Sequence, residues 1–300
     1  MRDVDVKTVA ANGIEIAYET FGEATNPPIV MVMGLGVQMI AWPDEMCQGL
    51  ADEGYYVIRF DNRDVGLSTH LDNAGTPTVA DVFVRRKKPP YTIQDMAEDT
   101  LGLITALGLD SVHLVGASMG GFIAQTVALT APSRVRSLTL IMTSTGSRTV
   151  GNPKPSVFRT LTRKRVVDDH LAAQEAVVET FRIIGSKGYA FDEEYMRDMA
   201  GRSMERSHDP YGYMRQLAAI GAQPNRTAAL KRLDVPALVI HGLHDPLVSP
   251  SGGLSAAKLL RNAKFVGYSG MGHDLPRELW PDYVMEIAAL AQRAERARAR

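Results

Sequence analysis

Gly116-Ala117-Ser118-Met119-Gly120 sets a serine among small residues, directly after the apolar run Val112–Val115 and directly before a helical run that begins Met119-Gly120-Gly121-Phe122. A serine on such a strand-to-helix turn is held in a strained conformation that exposes its hydroxyl, and flanking glycines let other backbone pass close by. The first N–H groups of the helix favour a developing anion. The chemistry this suggests is nucleophilic attack; the alternative is a Gly-rich turn that only packs a helix against a sheet. A serine hydroxyl is a poor nucleophile at its normal pKa, so it needs a base, and the base needs a partner that fixes its tautomer.

Seven histidines compete for the post of base. His113 lies in the strand before Ser118, too close along an extended chain to fold back onto it, and His241 ends a later strand. His70, His170 and His208 fall in loop or insert sequence with no strand end beneath them. His273 differs, because Ser269-Gly270-Met271-Gly272-His273-Asp274 is a flexible turn directly after the strand Lys264–Tyr268. The orienting acid is expected at a strand end between nucleophile and base. Thr143-Ser144-Thr145-Gly146 holds no carboxylate, whereas Gly242-Leu243-His244-Asp245-Pro246 follows the strand Val235–His241, so Asp245 is assigned the role. Asp274 is read as a loop residue and His244 as structural. Acyl transfer also needs preorganised N–H donors for an oxyanion. The amide of Met119 supplies one, and the amide of Leu35, in Met33-Gly34-Leu35-Gly36 after the strand Ile29–Met33, is the best candidate for the second. That loop is otherwise a plain strand-to-helix connection.

The elements that must position these residues follow from periodicity. Alternating runs Val4–Ala10 and Ile14–Phe21, joined by Asn12-Gly13, predict an antiparallel hairpin. Short apolar strands (Ile29–Met33, Tyr56–Phe60, Val112–Val115, Arg136–Met142) then alternate with helices near Asp44–Gly54, Thr92–Leu107 and Met119–Thr130, which implies parallel pairing with helices on both faces. The rhythm breaks from Ser144 to Asn225, where charged helical stretches (Arg163–Gly185, Asp192–Ser207, Tyr213–Gly221) have no strand between them. It resumes with Val235–His241, a helix near Gly253–Leu260, Lys264–Tyr268 and a last helix from Pro281 that ends in the solvated run Arg293–Arg300. The expected organisation is therefore a core of residues 1–143 and 226–300 with a helical cap of residues 144–225.

Composition limits the function classes. The 300-residue chain is 45% hydrophobic, enough for a sizeable core, and its 33 basic and 34 acidic residues give a net charge of −1. No global field favours nucleic acid or anionic membrane. Arg85-Arg86-Lys87-Lys88 lacks aromatic interleaving and reads as a solvated loop. Asp61-Asn62-Arg63-Asp64-Val65-Gly66-Leu67-Ser68 reads as a structural network supporting the neighbouring loops. The single cysteine, Cys47, can build neither an intrachain disulfide nor a cysteine-based zinc site. Metal-ligand spacings, phosphate loops and dinucleotide fingerprints do not stand out, so neither metal nor cofactor is expected. Apolar runs stop far short of a membrane span. Met1-Arg2-Asp3-Val4-Asp5 is charged, with no stretch of signal-peptide length before Asn12-Gly13, which leads us to expect a cytoplasmic protein.

On the elbow around Ser118, the His-Asp-Pro turn with Asp245 and Gly270-Met271-Gly272-His273, the chain resembles the α/β-hydrolase superfamily over nearly its full length. Val32-Met33-Gly34-Leu35-Gly36, Trp42-Pro43-Asp44-Glu45 and Arg59-Phe60-Asp61-Asn62-Arg63-Asp64-Val65-Gly66-Leu67-Ser68 look like aclacinomycin methylesterase and related bacterial carboxylesterases. The resemblance implies an α/β-hydrolase fold and cofactor-independent hydrolysis of small, largely apolar carboxylic esters by Ser118, His273 and Asp245. Met33 stands where many family members have histidine, which weakens inference about side chains of that loop but leaves the Leu35 amide in place. With Met31, Met39, Trp42, Met119 and Met142 it suggests a greasy, adaptable pocket, for which Gly34, Gly36, Trp42 and Met142 are candidate lining residues. Tyr189, Tyr195, Tyr211 and Tyr213 are candidates from the insert. A thioesterase, lactonase or carbon–carbon hydrolase with the same triad, and a non-catalytic ligand-binding relative, are the alternatives; oligomeric state stays open.

Overall fold

The computed structural model describes residues 6–84, 88–161 and 169–299. The chain opens with β1 (Lys7–Ala11) and β2 (Ile14–Phe21), paired antiparallel around Asn12 and Gly13, whose φ angles of 49° and 78° are those a two-residue hairpin turn demands. Then come β3 (Pro28–Val32), α1 (Asp44–Asp52), β4 (Tyr56–Phe60), α2 (Val79–Val84), α3 (Ile93–Ala106), β5 (Val112–Ala117), α4 (Met119–Thr130) and β6 (Val135–Ile141). Helices α5 (Pro155–Leu161), α6 (His170–Ile184), α7 (Glu193–Arg206), α8 (Pro210–Ala222) and the short α9 (Thr227–Leu230) precede β7 (Ala237–Gly242). Finally α10 (Ser251–Leu259), β8 (Ala263–Tyr268) and α11 (Trp280–Arg298) close the chain.

The eight strands form one sheet in the order β1-β2-β4-β3-β5-β6-β7-β8. Only β1–β2 and β2–β4 pair antiparallel; the other pairs are parallel. Strand side chains alternate between faces, and the core divides accordingly. Val30 and Val32 of β3 pack with Ile93, Met96, Ile123 and Val127 of α3 and α4, whereas Ile29 and Met31 pack with Met46, Leu50, Tyr283 and Ile287 of α1 and α11. The sheet is buried on both sides, so its strands read as continuous apolar runs rather than alternating ones.

Sequence periodicity finds these strands to within about two or three residues and misses α2, α5 and α9. The start of the expected helix at Arg163, the strand start at Val4 and Asp5, most of the run Arg85–Lys88 and the terminal Arg300 lie outside the described residues. Helix α8 begins at Pro210 rather than Tyr213, because Asp209 caps it by accepting from the Tyr211 amide and Pro210 fits the first turn.

Candidate active site

Parallel strands aim their C-terminal ends at one edge of the sheet, and three of the loops leaving that edge converge. Ser118 joins β5 to α4 at φ 54° and ψ −117°, a conformation that non-glycine residues rarely adopt. The neighbours make it possible. A Cβ on Gly120 would lie 2.0 Å from the Val32 carbonyl oxygen, and one on Gly116 would lie 2.3 Å from the Gly120 carbonyl oxygen, so glycine is required for helix, strand and elbow to meet. The Ser118 amide donates to the Ile141 carbonyl at 2.9 Å, and its own carbonyl accepts the Thr143 hydroxyl at 2.8 Å, tying the elbow to β6.

Asp245 follows β7 and is 1% exposed. Its Oδ1 accepts the amides of Leu247 and Val248, each at 2.8 Å, which leaves Oδ2 aimed at His273 Nδ1, 2.7 Å away. His273, in the loop after β8, brings Nε2 to 3.0 Å from Ser118 Oγ. An unbroken polar chain thus runs from buried carboxylate through imidazole to hydroxyl. His241, 3.5 Å from the same Oδ2, turns its Nε2 toward the Val248 carbonyl at 2.8 Å; burial depresses its pKa, so it sits as a neutral ring beneath Asp245.

The loop after β3 passes over the elbow. A Cβ on Gly34 would lie 3.1 Å from Ser118 Cβ, so the backbone there runs against the nucleophile. Asn62 Nδ2 donates to the Met33 carbonyl at 3.0 Å, and Gly36 donates its amide to Gln216 Oε1 at 2.7 Å, so the loop is held from β4 and from α8 at once. Met119 is the first residue of α4, a position whose N–H has no acceptor inside the helix.

Above these residues lies a cavity of about 500 Å³, within the range of small-molecule sites. Ser118, Gly34, Leu35, Gly36, Met142 and His273 line it from the sheet edge, while Phe181, Met199 and Leu217 line it from α6, α7 and α8. The expected pocket position of Trp42 is corrected. Its indole is fully buried beneath the sheet edge with Met46 and Leu50, its carbonyl accepts from Arg59, and its neighbours Ala41 and Pro43 reach the cavity instead. Burying the largest apolar side chain of that turn wins over presenting it to solvent. Of the four insert tyrosines, Tyr195 and Tyr213 line the cavity, Tyr189 packs against the core and Tyr211 is exposed.

Sequence reasoning missed the polar fastenings of the insert. Asp61 accepts the Met39 amide at 2.7 Å and Arg206 Nη2 at 3.0 Å; Asp64 takes Arg215 through two bonds of 2.8 Å. Arg215 also reaches Asp209, whose further partners include His70 Nδ1 at 2.8 Å. Burial opposes the charge on Asp209, but the His70 hydrogen bond, backbone amides and Arg215 together hold its pKa down at about 2. Asp64, His70 and Asp209 bring ligand-type atoms together. Arg215 already supplies the positive charge among them, so this cluster is an ion-pair network. The run Asp61–Ser68 does serve as a network supporting its neighbours, and it also reaches the insert.

Residues 27–276 match the family described as alpha/beta hydrolase fold. A rhodomycin D methylesterase of Streptomyces peucetius is 28% identical over 294 residues, an alignment covering 90% of this chain and 92% of that protein. The 3-oxoadipate enol-lactonase 2 of Acinetobacter baylyi is 26% identical over 252 residues, covering 82% of each. The crystal structure of the enol-lactonase from Burkholderia xenovorans LB400 superposes with a TM-score of 0.72 at 24% identity, over 95% of this chain and 100% of that one. The match over most of the chain, on a mostly parallel eight-stranded sheet with an antiparallel N-terminal edge, makes this protein a member of the α/β-hydrolase fold family.

Proposed function

We propose that the protein is a serine carboxylesterase in which Ser118 is the nucleophile, His273 the general base and Asp245 the residue that orients it. One observation carries the reading: Asp245 Oδ2, the two nitrogens of His273 and Ser118 Oγ form a continuous chain with steps of 2.7 and 3.0 Å at the floor of a cavity. Ser118 Oγ attacks the ester carbonyl as His273 takes its proton, and the imidazolium returns that proton to the leaving alkoxide. Water, activated by the same imidazole, then releases the acid from the acyl-enzyme. The amides of Leu35 and Met119 meet the oxyanion of both tetrahedral intermediates. Nucleophile, base and anion donors all come from the chain, so the reaction as written uses no cofactor.

Residues 144–225 act as a cap that shapes the substrate pocket. Its apolar wall, with Phe181, Met199 and Leu217, favours a small-molecule ester with a sizeable apolar portion. Methyl esters are supported by the methylesterase relative, and lactones form a second reading supported by the enol-lactonase relative. Among the described residues, no helix is long and apolar enough to cross a membrane; cytoplasmic residence is proposed from the sequence alone. Hydrolysis of matched p-nitrophenyl esters, methyl esters and lactones by wild type and Ser118→Ala tests the assignment. Turnover of an ester by wild type, with at least about a thousandfold loss in the variant, is expected. Wild-type rates in Ser118→Ala would refute it, and preference for lactones over matched open-chain esters would select the second reading.

A further inference from the structure

The loop that carries His273 is fastened to the helical insert at several points. Ile184 ends α6, where carbonyls lack acceptor duties inside the helix. Its carbonyl accepts the His273 amide at 2.8 Å. On one side of His273, Gly272 donates its amide to Ser186 Oγ at 2.9 Å. On the other, Asp274 Oδ1 accepts both the Ser186 hydroxyl at 2.5 Å and the Ser186 amide at 3.0 Å. Further back, the Gly270 carbonyl accepts the amides of Lys187 and Gly188, each at 3.0 Å. The two backbones touch: a Cβ on Gly272 would lie 2.4 Å from the Gly185 carbonyl carbon, and one on Gly188 would lie 2.6 Å from Gly270 Cα. From the core side the loop receives His244, which accepts the Gly270 amide at Nδ1 and donates its own amide to the Met271 carbonyl.

We propose that Ser186 is a positioning residue for His273. Its single hydroxyl accepts from the residue before the imidazole and donates to the residue after it, so it fixes the backbone on both sides of the ring. Ser186 is 7% exposed and does not line the cavity, so it acts through His273 rather than on substrate. The insert therefore does more than wall the pocket. Phe181 and Ile184, on the last turn of α6, face the cavity, and the same turn supplies the carbonyl that holds the His273 amide. Substrate contact and support of the base share one turn of helix.

The proposal rests on the reading of His273 as base, and its test separates the two. The measurements are kcat and KM for a short p-nitrophenyl ester, the rate at which a fluorophosphonate labels Ser118, and far-ultraviolet circular dichroism. They are made on wild type, Ser186→Ala, Ser186→Thr, Asp274→Ala and Ser118→Ala. Small misplacements of a reacting group cost up to about a hundredfold. Ser186→Ala is therefore expected to lower kcat and the labelling rate together by about 10- to 100-fold, with KM within about twofold. Ser186→Thr, which keeps the hydroxyl, recovers most of both. Should Ser186→Ala not fold, Asp274→Ala frees the same hydroxyl and is read by the same criteria. A kcat within twofold of wild type in a folded Ser186→Ala, or equal losses in the Ala and Thr variants, overturns the positioning role while leaving the serine mechanism intact. Undiminished turnover in Ser118→Ala overturns the mechanism itself.

Discussion

The floor of the cavity is held by backbone and its roof by side-chain charge. Ser118 sits at φ 54° between glycines that admit no Cβ, and Asp245 is clamped by the amides of Leu247 and Val248. Helices α7 and α8 are instead attached through Arg206 to Asp61 and through Arg215 to Asp64. Backbone geometry fixes atoms to a fraction of an ångström and tolerates little substitution; ion pairs between long side chains hold an element while leaving its facing side chains free to vary. The difference suggests a division of labour in which the floor sets the reaction and the roof sets what is accepted. The stretch from Ile184 to Gly188 crosses this division, joining roof to floor beside His273 by backbone and one serine hydroxyl.

Asp245→Asn strikes the floor where the effect should be largest. The variant keeps the shape of the side chain but favours the wrong tautomer of His273, so kcat should fall about 10⁴-fold, measured on a short ester. A loss of less than tenfold would move the orienting role elsewhere. Arg215→Met strikes the roof. Arg215 is 1% exposed, and its removal leaves Asp64, which is fully buried, without its charge partner. Breaking such a pair costs about 3–5 kcal/mol, to be read from urea unfolding. A loss below about 1 kcal/mol would show that Asp64 is satisfied by its remaining hydrogen bonds, the Leu71 amide among them.

The smallest effect lies under the floor, in β5. His113 Nδ1 lies 2.8 Å from Ser137 Oγ, and burial, reinforced by Arg136 and Arg298, pushes its pKa from 6.5 down to about 3. Glu295 lies 3.3 Å from its Nε2 but is partly solvated and paired with Arg136, so it does not offset burial. The unfolded chain takes up this proton near pH 6.5 and the folded chain not until about pH 3. The contribution of His113 to stability is therefore complete above about pH 6.5 and is lost as pH falls through that window. In His113→Gln, the loss of unfolding free energy between pH 7 and pH 4 should be smaller by about 3 kcal/mol. An identical loss in both proteins would place the acid sensitivity in other groups.

Local signals carried most of the floor into the sequence. An apolar run followed by Gly-x-Ser-x-Gly, and carboxylate and imidazole after later strands, are short-range patterns that need no knowledge of neighbours. The expected helix start at Thr92 is fixed by an equally local contact in the structure: the Thr92 side chain accepts from the Asp95 amide while the Asp95 carboxylate reaches back to the Thr92 amide. The helices of the roof were legible, but their fastenings were not. Arg215 with Asp64, Gln216 with Gly36, and Ser186 with Gly272 and Asp274 pair residues far apart in the chain, and nothing in their local sequence marks them as partners. Trp42 went astray because composition reveals that an indole is apolar but not which face of a turn it occupies. Asp274, read as a plain loop residue, does lie in the loop but is also a half-buried acceptor beside His273, its pKa raised by desolvation against the pull of the Ser186 bonds.

The central claim, that Ser118 is the nucleophile, is met most directly by treating the folded protein with a fluorophosphonate and locating the adduct by peptide mass spectrometry. The account predicts one stoichiometric adduct on Ser118, formed at the rate at which esterase activity disappears and absent from Ser118→Ala. Esterase activity that survives reagent excess, or an adduct on another residue that tracks its loss, would contradict it.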